Sequence, residues 1–283
     1  MKFVEITEEN TDDFSDLIDM DVICDIDRSF FFGIGVFDDD NIPRGALVYE
    51  LLNYDSDEDT IGRIHTLAAN DDEILGLLMS NYEEAVDEKE IVKSVFLTDD
   101  KGKADYLGSC GFSFDFKESP DIVFTVGDIE RVAAMLSGKK LPPYIKSMSD
   151  VSLKQYRDFI KHCLAKGRFG LLEDLGYLPM SWFERDFSSC STADNKMDGG
   201  LLVRRLPSNT LEPCIFSAFG IDYQKNLGIM TISTAKKVFE NYPADNKIII
   251  HRHNDSVRKL TDKLFPDIRG KDVYICTRIE NLN

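Results

Sequence analysis

The sequence predicts an α/β protein of the α+β kind, built from two similar units in tandem. Each unit is expected to contain a mixed, mostly antiparallel sheet flanked by helices. Short apolar runs typical of strands alternate with longer segments of helical periodicity, and the same order of segments occurs twice. Gly76 and Gly228 lie 152 residues apart, and Phe112 and Phe265 lie 153 residues apart. A nearly constant shift between landmarks indicates internal duplication.

In the first half, alternating apolar residues and flanking turn residues predict strands at "FFFGIGVFD", "GALVYELL" and "TIGRIHTLAA". A loop and helix follow at "NDDEILGLLMSNYEEAVDE", whose apolar residues recur at helical spacing. The half ends with a strand "VKSVFLT", a helix "GKADYLGSCGF" and a closing strand "DIVFTVGD".

The second half repeats this order, with strands at "DFSSCSTADN", "GGLLVRRL" and "EPCIFSAFG". A helix is predicted from about Gly228 to Tyr242, followed by a strand "KIIIHR", an amphipathic helix "DSVRKLTDKLF" and a last strand "DVYICTRI". The segment 137–146, "SGKKLPPYIK", is rich in Gly, Pro and Lys and reads as a linker. The predicted domains are therefore residues 1–138 and 139–283.

Charge is distributed unevenly along the chain. The net charge is −18 over 283 residues, but residues 1–130 hold 34 acidic against 9 basic residues, and the rest hold 17 against 24. The acidic half should repel nucleic acid and attract cations, whereas the basic half can accept an anion. The alternative is that the acidic residues form only a well-solvated surface.

The composition also limits the compartment and the chemistry. No apolar run is long enough for a membrane span, and "MKFVEITEEN" does not resemble a signal peptide. Six cysteines without a CxxC pair predict a cytoplasmic protein without disulfides. No metal is expected, because His251 and His253 at i, i+2 form a poor metal site. Cys190 has no partnered histidine at a recognisable spacing, so nucleophilic catalysis lacks support.

The loop "FGIDYQKNLGIMT", residues 219–231, suggests an anion site. The apolar strand runs into the polar segment 223–226, and Gly228 then begins a helical pattern. A helix that begins directly after a strand presents several unpaired backbone N–H groups at one point. Together with the helix dipole, these groups favour an anion such as a phosphate.

This order of elements resembles that of the GNAT superfamily of acyl-CoA N-acyltransferases, in a tandem form that covers nearly the whole chain. In that family the loop reads Gln/Arg-x-x-Gly-x-Gly/Ala and its N–H groups hold the CoA pyrophosphate. With Gly228 as the final glycine, Asn226 replaces the earlier glycine and Tyr223 takes the Gln/Arg position. The resemblance implies acetyl-CoA as co-substrate, contacted by Phe219, Gly220, Ile221, Gln224, Lys225, Asn226, Leu227, Gly228, Ile229 and Asn254.

In the first repeat, Asp71, Asp72 and Glu73 occupy the corresponding loop. Three carboxylates would repel a pyrophosphate at short range, so this degenerate, acidic repeat is not expected to bind CoA.

The resemblance also implies a general base, because several GNAT enzymes use a glutamate sixteen residues before the last loop glycine. Glu212 holds that place, and Thr60 is its counterpart in the first repeat. The alternative reading makes Glu212 a solvated strand-edge residue. Many GNAT enzymes use a tyrosine as thiol acid, and Leu260 stands at that position. Asn254 matches the asparagine near the pantetheine arm, and its alternative role is a helix N-cap.

The predicted function is transfer of an acetyl group from acetyl-CoA to a primary amine of a small molecule or peptide. The acidic half favours a cationic acceptor such as a polyamine, an aminoglycoside or a basic peptide. The alternative is a non-catalytic tandem GNAT fold that binds a ligand or partner protein. His65 and Trp182 are expected to be packing residues rather than substrate contacts.

Overall fold

The computed structural model describes residues 1–54, 59–136, 138, 140–166, 179–252 and 255–280. It divides into two compact units, one formed by Met1–Glu118 with Asp272–Asn283 and the other by Ser119–Lys271. Each unit has a mixed, mostly antiparallel sheet flanked by helices, which confirms the predicted fold class. Within the described ranges, no helix combines the length and the apolar character needed to cross a bilayer.

The sheet of the first unit contains six strands in the order β1-β2-β3-β4-β5-β12. Neighbouring strands run antiparallel except β4 and β5, which run parallel. The strands are β1 (Lys2–Ile6), β2 (Phe31–Phe37), β3 (Pro43–Leu52), β4 (Ile61–Ala69), β5 (Lys93–Thr98) and β12 (Lys271–Ile279).

The helices of the first unit are α1 (Met20–Ile23), α2 (Asp72–Glu88) and α3 (Lys101–Ser109). The α2 helix packs on the sheet through Ile74, Leu78 and Tyr82, all fully buried. Their spacing of four residues places them on one face of the helix. The helix therefore forms where the apolar periodicity predicts it.

The sheet of the second unit has the strand order β7-β8-β9-β10-β11-β6, again with one parallel pair, β10 and β11. Its strands are β7 (Ile145–Ser147), β8 (Ser189–Ala193), β9 (Lys196–Arg205), β10 (Leu211–Ala218), β11 (Lys247–His251) and the end of β6 (Ser113–Thr125). Its helices are α4 (Glu130–Ala134), α5 (Leu153–Ala165), α6 (Tyr223–Asn241) and α7 (Asp255–Leu264).

The closing strands are exchanged between the two halves of the sequence. Residues 121–125 of β6 follow the first repeat in the chain, yet they pair with β11 of the second unit. The last strand of the chain, β12, pairs with β5 of the first unit. Each unit thus takes its closing strand from the other half of the chain, whereas the sequence assigned each closing strand to its own repeat.

The compact units consequently differ from the predicted domains 1–138 and 139–283. The chain divides between Glu118 and Ser119, and the segment after Asp272 belongs to the first unit. The physical reason is burial: Ile122, Phe124 and Val132 lie in the same apolar core as α6 and β10.

The two repeats also differ in the length of the loop after the fourth strand. The strand ends Ala69 and Ala218 are 149 residues apart, whereas the helix starts Asp72 and Tyr223 are 151 apart. The loop of the second unit is therefore two residues longer. The α6 helix begins at Tyr223, five residues before the predicted start at Gly228.

A β-bulge is present at the same place in both fourth strands, at His65 in β4 and at Cys214 in β10. Counted from the bulge, the residue of the first unit that corresponds to Glu212 is Arg63. The sequence-based counterpart, Thr60, lies before β4 begins, because a shift measured on the helices does not hold within the strands.

Candidate functional site

The N-terminus of α6 lies at the end of β10 and offers unsatisfied backbone donors. Asp222 is the N-cap residue, and its side chain makes no capping hydrogen bond. Its carbonyl oxygen accepts the first intrahelical bond, from the Asn226 N–H at 2.9 Å. The first turn contains no acidic residue. This helix start is therefore suited to an anion.

The corresponding helix start in the first unit is already satisfied. The Asp71 carboxylate accepts a hydrogen bond from the Ile74 N–H at 3.0 Å and lies 3.6 Å from the Arg44 guanidinium. Asp72 and Glu73 add two negative charges in the first turn. The two helix starts therefore differ both in capping and in charge, and only that of α6 has the electrostatic character for a phosphate.

Two glycines shape the loop at α6. Gly220 has φ +86°, a left-handed conformation that residues with a side chain rarely adopt. A Cβ placed on Gly228 would meet no heavy atom within 4 Å, so open space lies beside the second turn of the helix. The space next to Gly228 is available to a group bound at the helix start.

The other predicted cofactor residues lie in different environments. Ile221, Gln224 and Lys225 are exposed around the helix start, and the Phe219 ring packs against His162 with centroids 4.2 Å apart. Leu227 and Ile229 pack into the core, so only their backbones are available. Asn226 is buried, and its Oδ1 has no partner among the described residues. Asn254 lies outside the described residues.

The strands β10 and β11 diverge soon after they meet. Their parallel pairing joins Leu211 to Ile248, whereas β4 and β5 pair over four successive residues. The bulge in β10 begins two residues after Leu211. A small apolar cavity of ≈ 50 Å³ beneath α6 is lined by residues that include Pro213 and Phe216 of β10 and Ile250 of β11. The divergence places a gap between the strands next to the start of α6.

Glu212 lies on the opposite face of the sheet from this cavity, because side chains alternate along a strand. It is 3% exposed, so the reading of Glu212 as a solvated edge residue is wrong. One carboxylate oxygen, Oε2, accepts a hydrogen bond from the Arg204 Nε–H. The other, Oε1, lies 3.3 Å from His251 Nε2, and His251 Nδ1 lies 3.0 Å from Asp121 Oδ1.

The charges of this cluster are set by its hydrogen bonds. Burial raises the pKa of the Glu212 carboxyl, but the bonds from His251 and Arg204 outweigh burial and bring this pKa below its ordinary value. Burial lowers the pKa of His251, and the bonds to Asp121 and Glu212 outweigh it and raise this pKa to about 9. At neutral pH the cluster therefore contains a carboxylate beside an imidazolium.

We expect His251 to make the stability of the second unit depend on pH. A raised pKa means that its ion pairs stabilise the fold fully below the unfolded value of 6.5 and lose this effect as the pH rises through about 9. The difference in Tm between wild type and His251→Gln should therefore be large near pH 6 and small near pH 10. Thermal unfolding of both proteins across this range measures it. A constant difference would contradict the assignment, since titrations shared by both proteins cancel.

Two members of the cluster, Asp121 and Arg204, were not predicted from the sequence. Asp121 is 130 residues from His251 in the chain and becomes its cross-strand neighbour through the exchange of β6. Arg204 is the cross-strand neighbour of Glu212, a relation that the strand register determines. Among the described residues, no group of three or more His, Cys, Asp or Glu side chains could hold a metal ion.

The remaining aromatic and histidine predictions have mixed outcomes. The Trp182 ring packs on Phe183 and lies beneath the Arg204 guanidinium, 4.5 Å from its centroid, so Trp182 is a packing residue. His65 is half-buried rather than enclosed in the core, and its Nε2 lies 3.1 Å from Glu50 Oε2.

Neither a protein-family model nor a curated protein matches the sequence. Solved structures do match. A tandem GNAT protein from the clavulanic acid biosynthesis pathway has a TM-score of 0.70 at 12% identity, over 98% of this chain and 97% of that chain. A Drosophila protein has a TM-score of 0.54 at 9% identity, over 99% of both chains.

A third structure is the GCN5-related glucosamine N-acetyltransferase region of a fungal multi-domain β-N-acetylglucosaminidase. Its TM-score is 0.62 at 11% identity, over 98% of this chain and 38% of that chain. At such identities the likeness concerns the fold, and it extends over both units. The protein therefore has the tandem GNAT fold.

Proposed function

We propose that the second unit binds acetyl-CoA and transfers its acetyl group to a primary amine. The observation that carries this proposal is the difference between the two helix starts. The start of α6 is uncapped, free of acidic residues and next to the open space at Gly228, whereas that of α2 is capped by Asp71 and acidic. In a tandem GNAT fold, the second unit is thus the one suited to a pyrophosphate.

The residues at α6 fit this group despite two departures from the family motif. The backbone N–H groups of Tyr223, Gln224 and Lys225 would donate to the pyrophosphate, and the exposed Lys225 adds a positive charge. Asn226 replaces a family glycine, but its side chain is buried and leaves the exposed side of the helix start clear. When bound, acetyl-CoA supplies the activated acyl group.

Glu212 is the residue that we propose as general base. An amine attacks through its lone pair, so an ammonium acceptor must first lose a proton. Glu212 is ionised at neutral pH, because the bonds from His251 and Arg204 lower its pKa. It would receive the proton through a water molecule. The acidic residues of the first unit would attract a cationic acceptor such as a polyamine, an aminoglycoside or a basic peptide.

We expect Glu212→Gln to lower acetyl transfer by about 10²-fold, the lower end of what a fixed base contributes. The measurement is transfer from radiolabelled acetyl-CoA to a panel of amines, with CoA affinity followed by calorimetry. Arg204→Gln is the matched control, since it breaks the same ion pair but keeps the carboxylate. Its rate should remain well above that of Glu212→Gln, and CoA affinity should be unchanged in both. Equal rates in Glu212→Gln and wild type would exclude the base assignment.

A second candidate function, ligand binding without transfer, is favoured by one observation. Both oxygens of Glu212 already have partners, and the position of the family's acid tyrosine holds Leu260, which packs against the core. A protein that binds CoA but transfers acetyl to no amine of the panel would support this candidate. Raising the salt concentration then distinguishes a slow enzyme, because screening at 0.1 M acts beyond ~10 Å and should reduce the rate for polycations.

A further inference from the structure

A chain of four ionisable side chains lies on one face of the second unit's sheet. Asp121 of β6 and His251 of β11 are cross-strand partners, and so are Glu212 of β10 and Arg204 of β9. Glu212 Oε1 and His251 Nε2 connect the two pairs at 3.3 Å. The order along the chain is Asp121, His251, Glu212 and Arg204, with carboxylate and cation alternating.

The geometry restricts His251 at both ring nitrogens. Nδ1 lies 3.0 Å from Asp121 Oδ1, so Asp121 fixes the plane of the ring and accepts the Nδ1 proton. Nε2 is then directed at Glu212 Oε1. The Glu212 carboxylate is held between two donors, one on each oxygen, and the Arg204 guanidinium is itself supported by the ring of Trp182.

Arg204 alone would neutralise the charge of Glu212, so the second cation has a further effect. It fixes the rotation of the carboxylate and keeps the group ionised in a site where it is 3% exposed. A proton that Glu212 takes from an ammonium group leaves the amine with its lone pair. With a cation on each side, Glu212 returns that proton to water readily and is regenerated.

We propose that His251, oriented by Asp121, is a positioning residue that keeps the Glu212 carboxylate ionised and correctly turned for proton transfer from the acceptor amine. This role rests on the acetyltransferase function proposed above. It also implies that a residue from the first half of the sequence, Asp121, completes the site of the second unit.

The charged groups that face His251 among the described residues are Asp121 from β6, Glu212 from β10 and, beyond it, Arg204 from β9. In Asp121→Asn, the imidazolium loses one of its two carboxylate partners. His251 should then become neutral at a lower pH than the value of about 9 in wild type. Glu212 would lose its second cation over the same pH range.

The test uses the full chain and compares wild type with Asp121→Asn at about pH 6 and about pH 8.5. We expect the ratio of their acetyl-transfer rates to be near one at the lower pH and about tenfold at the higher pH, where only wild type retains the imidazolium. Nuclear magnetic resonance follows the titration of the His251 ring in both proteins. Calorimetry should give the same CoA affinity for both.

Two further variants keep the result decisive. His251→Gln retains a hydrogen-bond donor toward Glu212 without a charge, and it should be slower than wild type at pH 6 as well as at pH 8.5. His65→Gln makes the same change beside Glu50 in the first unit and should leave the rate unchanged.

A rate ratio that does not vary with pH, or a His251 ring in wild type that titrates near 6.5, would overturn the positioning role. Absence of transfer by wild type, with CoA bound, would overturn the proposed function and this role with it. The two failures are distinguishable, because the first requires measurable transfer.

Discussion

Replacement of Gly228 by leucine is expected to abolish CoA binding while leaving the second unit folded. A Cβ at this position meets no heavy atom within 4 Å, so the fold has room for the side chain. The leucine would occupy the open space beside the helix start, where we place the pyrophosphate. Because glycine inside a helix costs roughly 0.5–1 kcal/mol relative to alanine, the variant should unfold at the same temperature as wild type or higher.

The matched control is Gly76→Leu, the same change at the same landmark of the first unit. A Cβ there would lie 3.7 Å from the Tyr106 hydroxyl, which is ordinary contact, so this variant should also fold. Calorimetry with CoA should detect no binding to Gly228→Leu and unchanged binding to Gly76→Leu. The opposite pattern would assign the site to the first unit, and retained binding in both variants would remove it from these helices.

The second large effect concerns the exchanged strand. A fragment of residues 139–283, the domain that the sequence predicts, lacks the end of β6 and should not fold cooperatively. That fragment loses Ile122, Phe124, Val126, Ile129 and Val132, all buried in the core of the second unit. At roughly 1.5–3 kcal/mol for each buried apolar side chain, the loss is comparable with the whole stability of a domain.

A fragment of residues 119–271 is the matched comparison, since it contains all six strands of the second unit's sheet. It should show near-ultraviolet circular dichroism and a cooperative thermal transition, whereas 139–283 should show neither. If 139–283 melts cooperatively at the temperature of 119–271, the exchange does not govern the stability of the second unit.

Much of the architecture could be predicted because it depends on local patterns. The spacing of Ile74, Leu78 and Tyr82 predicts α2, and alternating apolar residues predict the strands on either side. The shift of 152 residues between Gly76 and Gly228 predicts the duplication. Each of these signals is contained within a segment shorter than about twenty residues, and repetition makes it stronger.

Element boundaries were less accessible. The polar residues Tyr223, Gln224 and Lys225 read as a loop, but they form the first turn of α6. Polar residues are compatible with both states, and the first turn of a helix has no periodicity of its own. The bulges at His65 and Cys214 were equally hidden, since a bulge depends on the partner strand rather than on the residue itself.

By itself, the sequence determined the fold class, the tandem repeat, the contrast in charge between the two halves and the helix start suited to an anion. Only the tertiary structure decided which closing strand each unit receives, and therefore where the units divide. It alone brought Asp121 to His251 and enclosed Glu212 between two cations. The reason is physical: helices and strands arise from periodicity within a segment, whereas strand pairing and ion pairs join residues that are distant in the chain and leave no mark on the local pattern.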